Sequence, residues 1–135
     1  MKVVDKERTG TQDKPTVVLV HGAFGGSASW NGVIQRLQAK SLTVVAASDP
    51  LRSTAGDAAY VRDVIAGIGN PVVLVAHSYG GFVMTEAAAR NGSVVGLVYV
   101  CAFAPDHGES AFALAARFPG STLGVTVAPF KLVVW

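Results

Sequence analysis

Val72-Val73-Leu74-Val75-Ala76-His77-Ser78-Tyr79-Gly80-Gly81 is the stretch on which the fold turns. Five apolar residues, three of them valines, run without interruption and stop at a histidine, a serine and two glycines. A short apolar run bounded by turn residues suits a strand covered on both faces. Gly80 to Arg90 then reads as a helix. Small residues, Ala76 and Gly80, stand two before and two after Ser78. A nucleophile elbow requires this, because its serine holds a strained backbone conformation and bulky neighbours at those positions would clash. The usual pattern is Gly-x-Ser-x-Gly; here Ala76 replaces the first glycine, and a methyl group fits many such turns. The helix N-terminus behind the serine turns its free N–H groups and its dipole toward any negative charge that develops there.

Working outward, the same alternation repeats. Thr16 to Val20 is a first strand, followed by the turn His21-Gly22-Ala23-Phe24-Gly25-Gly26. Ser29 is placed to cap a helix whose apolar stripe is Trp30, Val33, Ile34 and Leu37. Leu42 to Ala47 is a second strand, broken by Asp49-Pro50. Ala58, Val61, Ile65 and Ile68 mark a second helix that stops at Gly67, Gly69, Asn70 and Pro71. Val94 to Val100 is a fourth strand. Ser110 to Phe118 reads as a short helix with Leu114 and Phe118 on one face, and residues 121–135 as loop plus an apolar end. Strands alternating with helices at this spacing predict right-handed βαβ units. The expected class is α/β: three layers, α/β/α, around a mainly parallel sheet. Residues 1–14 read as a polar tail and 15–135 as one domain.

Composition narrows the function. Of 135 residues, 50% are hydrophobic and 15% charged, with mean hydropathy +0.42, which excludes a disordered chain. The longest stretch free of Asp, Glu, Lys and Arg, Val64 to Thr85, is interrupted by Gly67, Gly69, Asn70, Pro71 and His77, so no membrane span is expected. The net charge of +2 forms no basic stripe, and no nucleic-acid partner is expected. No secretory leader is evident at the start of the chain. The single cysteine, Cys101, suits a reducing cytoplasm and reads as an inert part of an apolar strand end. The histidines lack metal-ligand spacing, so neither metal nor cofactor is called for.

The second chemical signal is the His21–Gly26 turn. In a parallel sheet it shares the carboxyl edge with the Ser78 turn, where open α/β sheets bind ligands. Backbone N–H groups of Ala23 and Tyr79 are then placed to face one point near the Ser78 hydroxyl. Two such donors make an oxyanion hole, each worth roughly 3–4 kcal/mol in the transition state. A phosphate loop fails on detail, since neither Gly-x-Gly-x-x-Gly nor a Walker lysine is present.

Val-His-Gly-Ala-Phe-Gly-Gly…Ser-Trp at 20–30, together with Val-Ala-His-Ser-Tyr-Gly-Gly at 75–81, resembles the α/β-hydrolase superfamily. Closer still is its small bacterial esterase-like branch, similar to plant methylesterases and hydroxynitrile lyases. Leu97 to Asp106, ending Ala-Phe-Ala-Pro-Asp, fits that branch too. The resemblance runs from about Pro15 to Gly120. It implies Ser78 as nucleophile and Ala23 and Tyr79 as oxyanion donors. It also implies that the four strands are the family's third to sixth, lying 4-3-5-6 in space, the N-terminal half of that fold.

A serine nucleophile needs a histidine base and a carboxylate to orient it. In the superfamily these follow on loops after later strands, which this sequence does not contain. Only His107 follows Ser78, beside Asp106, just after the fourth strand. Asp106 is the candidate acid and His107 the candidate base; both read equally as water-facing loop residues with Glu109. His21 reads as structural, and His77 fills the variable position of the elbow. Phe24 and Tyr79 are candidates to line an acyl pocket, whereas Trp30 and Phe82 read as core. The expected activity is hydrolysis of small carboxylic esters through an acyl-enzyme on Ser78. An impaired hydrolase remnant and a hydroxynitrile-lyase-like enzyme are the alternatives. The fourth strand would be an open apolar edge, covered by Val125 to Trp135 or by a second copy, so a homodimer or higher oligomer is expected.

Overall fold

A computed structural model describes residues 14–128. Four parallel strands, β1 (Thr16–Val20), β2 (Val44–Ala47), β3 (Val72–Ser78) and β4 (Val94–Ala102), form one sheet in the order β2-β1-β3-β4. Their connections carry α1 (Asn31–Gln38), α2 (Thr54–Ile68) and α3 (Gly80–Ala88); α4 (Ala111–Arg117) and α5 (Leu123–Thr126) follow β4. This is the α/β class and the strand order expected.

The period of two along a strand sorts side chains between the two faces. Val18 and Val20 of β1 and Val72, Leu74 and Ala76 of β3 pack with Ala58, Val61 and Ile65 of α2 and Val83, Met84 and Ala87 of α3. Val17 and Leu19 point the other way, onto Trp30 with Ile34 and Leu37 of α1. That double cover explains why β1 is buried at all five positions. Trp30 and Phe82 are both core, as their sequence context suggests. Each fully buried aliphatic side chain contributes about 1.5–3 kcal/mol, so β1 and β3 anchor the sheet.

The local signals hold with some differences. Ser53 caps α2, accepting the Gly56 N–H at 3.1 Å, and Gly69 ends that helix in the left-handed conformation (φ 71°). Ser29 caps nothing. Residues Ser27–Trp30 form a 3-10 turn ahead of α1, and the Ser29 hydroxyl donates to the Gly26 carbonyl at 2.7 Å instead. α5 lies where only a loop was expected.

β4 is one of the two edge strands among the described residues, pairing with β3 alone. It carries a bulge at each end. Val72 and Val73 face Val94 and Gly96, leaving Val95 extra, and His77 and Ser78 face Val100 and Ala102, leaving Cys101 extra. Cys101 takes a positive φ of 44° at the second bulge and is exposed like the residues before it, which corrects its reading as inert core: β4 is an edge strand with little packed against it among the described residues. Val95, Leu97, Val98, Tyr99 and Val100 are all exposed. The segment expected to cover this edge does not do so where it is described. Leu123, Gly124 and Val127 turn toward the cavity below, and Val125 is 88% exposed. Residues 1–13 and 129–135, including most of the polar tail and Leu132 to Trp135, lie outside the described residues. Among the described residues no helix is long and apolar enough to cross a membrane.

Candidate active site

Ser78 ends β3 with φ 53°, the left-handed region that a side chain enters only when the surroundings force it. Three neighbours do so. Gly80 lies so close to the end of β1 that a Cβ there would meet the His21 and Val20 carbonyl oxygens at 2.7 Å. A Cβ on Gly81 would collide with the Phe103 carbonyl oxygen. The Phe103 N–H donates to the Ser78 carbonyl at 3.1 Å, tying the elbow to the chain after β4. On the minus-two side, Ala76 is fully buried, and its methyl group is accommodated.

The first turn meets the second. A Cβ on Gly22 would come within 3.0 Å of the Ser78 Cβ, so only glycine lets the His21–Gly26 turn approach this closely. Ala23, Phe24, Ser78 and Tyr79 consequently line one cavity of about 290 Å³, closed by Phe103 and by residues of α4 and α5. Apart from Ser78 and Tyr79 that lining is apolar. Phe24 is 81% exposed and forms part of the rim. The space suits a small apolar group held against a hydroxyl.

Asp106 and His107 are not among the residues lining this cavity. Both are exposed in a turn after β4. Asp106 accepts the His107 backbone N–H on Oδ1 at 2.8 Å, and its own N–H donates to Glu109 Oε2 at 2.8 Å. That N–H, then Arg117, holds the Glu109 carboxyl below its ordinary range. Among the described residues no histidine lines the cavity, and no group of three or more His, Cys, Asp or Glu is placed to hold a metal ion.

Beneath the two turns lie buried polar groups that the sequence reading did not single out. His21 is buried, its Nδ1 sits 2.9 Å from the Gly22 carbonyl, and its Nε2 is 3.3 Å from Asp49 Oδ1. That contact is close enough for an ion pair but poorly aligned, so neither Asp49 oxygen gains a hydrogen bond. Burial pushes the Asp49 carboxyl up to about 6, against the pull of His21 and with a further push from Asp57. Asp57 is fully buried in the first turn of α2. It accepts the Arg52 N–H at 3.1 Å and the Tyr79 hydroxyl at 2.9 Å. Burial, offset by the Thr54 hydrogen bond and reinforced by Asp57, raises the Tyr79 hydroxyl above the ordinary tyrosine value. One sequence signal pointed here: Asp57 stands at the head of the stripe Asp57, Val61 and Ile65, an acid where the period calls for an apolar residue.

Residues 17–133 match the sequence profile of the alpha/beta hydrolase family. An α/β-hydrolase of Aspergillus novofumigatus is 34% identical over 116 residues, covering 72% of this chain and 46% of the relative. A carbendazim-hydrolyzing esterase of a Nocardioides species is also 34% identical, covering 74% of this chain and 47% of the relative. Among solved structures, an extracellular α/β-hydrolase of a Paenibacillus species superposes with a TM-score of 0.68 at 24% identity, covering 83% of this chain and 49% of that one. The chain spans about half the length of the curated relatives it matches. The elbow, the glycine turn beside it, the strand order and these matches agree, and the chain belongs to the α/β-hydrolase family.

Proposed function

We propose that the protein is a serine carboxylesterase acting on small carboxylic esters through an acyl-enzyme on Ser78. The observation that carries this reading is a left-handed serine at a strand-to-helix turn, opening with Ala23 and Tyr79 onto one apolar cavity. Ser78 Oγ attacks the ester carbonyl carbon as its proton passes to a base. The carbonyl oxygen takes the negative charge, stabilised by the Ala23 and Tyr79 N–H groups and by the N-terminus of α3. The tetrahedral adduct then collapses, the C–O bond to the alcohol breaks, and the alcohol leaves with a proton. Water attacks the acyl-enzyme in the same way, releasing the acid and restoring the Ser78 hydroxyl. Phe24 and the apolar lining receive the acyl or alkoxy group. The esterase name of the Nocardioides relative supports the substrate class. The lone cysteine supports a cytoplasmic setting.

His107, oriented by Asp106, is the base this sequence offers. It serves only after the loop at 106–109 turns its side chain from solvent toward the cavity. A second reading follows from the observation that no described histidine lines that cavity: the chain acylates but does not turn over. A fluorophosphonate probe and a p-nitrophenyl ester separate these. Labelling of Ser78 in the folded protein with steady hydrolysis, lost in His107→Ala, is the expected result. Hydrolysis that persists in His107→Ala removes that histidine from the mechanism. A burst without steady turnover supports the second reading, and failure of Ser78 to label refutes the enzyme altogether.

A further inference from the structure

The elbow is gripped from three sides. β1 presses on Gly80, and the Phe103 N–H holds the Ser78 carbonyl; both contacts are made by backbone. The third grip is made by side chains alone. The Tyr79 hydroxyl donates to Asp57 Oδ2 at 2.9 Å and lies 3.4 Å from Thr54 Oγ1, so α2 reaches across to the residue next to Ser78. Asp57 is fully buried and forms no ion pair with any described residue. An unpaired buried carboxylate is costly, and an apolar residue would pack α2 against the sheet at lower free energy. What the carboxylate supplies instead is two directed acceptors, one for the Arg52 N–H and one for Tyr79.

The Tyr79 N–H belongs to the peptide that follows Ser78, and Ser78 is held at φ 53°. A residue in that region relaxes if its neighbours allow it, and relaxation rotates this peptide. We infer that Asp57 is a positioning residue for the oxyanion site: through the Tyr79 hydroxyl it fixes the orientation of the Tyr79 N–H. The inference rests on Ser78 being the nucleophile. Thr54 supports the same hydroxyl, and the Tyr79 ring, stacked on Phe82 with centroids 6.5 Å apart, limits sideways movement. An oxyanion donor acts on the transition state far more than on the ground state, so its misplacement slows reaction without weakening binding.

The test follows phosphonylation of Ser78 in the parent, Tyr79→Phe, Asp57→Asn and the double variant. A fluorophosphonate at rising concentration separates kinact from KI, and thermal melts report folding. Each single variant is expected to lower kinact about tenfold with KI unchanged. The double variant is expected to be no slower than the slower single one, because both remove one hydrogen bond. If Asp57→Asn fails to fold, Tyr79→Phe decides alone. A Tyr79→Phe protein that melts lower but keeps the parent kinact reveals a merely structural bond and overturns the inference. A parent that is not labelled overturns the nucleophile reading and the inference with it, whereas a labelled parent matched by Tyr79→Phe overturns the inference alone.

Discussion

Asp49→Asn isolates the buried acid at the end of β2. The Asp49 side chain is sealed from solvent, has His21 as a poorly aligned neighbour, and ionises near 6 against an ordinary value of 3.8. A carboxyl raised in this way binds its proton more tightly folded than unfolded. Its contribution is therefore intact below about pH 4 and lost as the pH rises through 6. Two pKa units at about 1.36 kcal/mol each set a ceiling near 3 kcal/mol. Relaxation of the site around the buried charge brings the expected loss to about 2 kcal/mol. The asparagine cannot ionise and escapes that loss. Urea unfolding of both proteins at pH 4, 5, 6 and 7 gives the comparison. The stability of the variant minus that of the parent is expected to rise by about 2 kcal/mol across the series. A flat difference would mean that the ionised carboxylate is well solvated in the fold. A difference that falls with pH would mean that pairing with His21 outweighs burial. Either result refutes the reasoning.

Two further outcomes are expected. Gly80→Ala places a methyl group 2.7 Å from two backbone carbonyl oxygens that cannot swing aside, so unfolding should become easier by about 1–3 kcal/mol; an unchanged or raised Tm would show that the elbow is not pressed on β1. Sedimentation at micromolar concentration is expected to give a dimer or larger species, since β4 exposes a row of apolar residues beside an edge that no described residue pairs with; a monomer would refute self-association.

What could be read in the sequence was whatever depends on neighbours along the chain. Small residues flanking Ser78, the apolar run before it and the glycine turn after Val20 pointed to the elbow, a parallel sheet and two turns on one edge. These follow from local sterics and strand–helix alternation, whereas the strand order came from the family resemblance. Asp49 escaped notice because its burial beside His21 is a contact between distant segments, and Asp57 because an acid at the head of an apolar stripe reads first as a surface charge near a helix N-terminus. Cys101 was misread for a related reason: an apolar run suggests a covered strand, and nothing in it marks β4 as the exposed edge. Ser29 has the composition of a cap, but the 3-10 turn consumes it before α1 begins. Asp106 and His107 are legible as chemistry and not as placement, since a short polar loop can present its side chains either to water or to the site.

The two bulges in β4 also set a gauge for anything that would lie beside it. Between Val95 and Cys101 only Gly96 to Val100 keep an unbroken register with β3, a run of about 16 Å at the usual rise per residue. A straight strand longer than that would lose its hydrogen bonds at both ends. The edge therefore accepts a five-residue visitor or one bulged to match, and it resists indefinite stacking of identical flat strands despite its apolar surface.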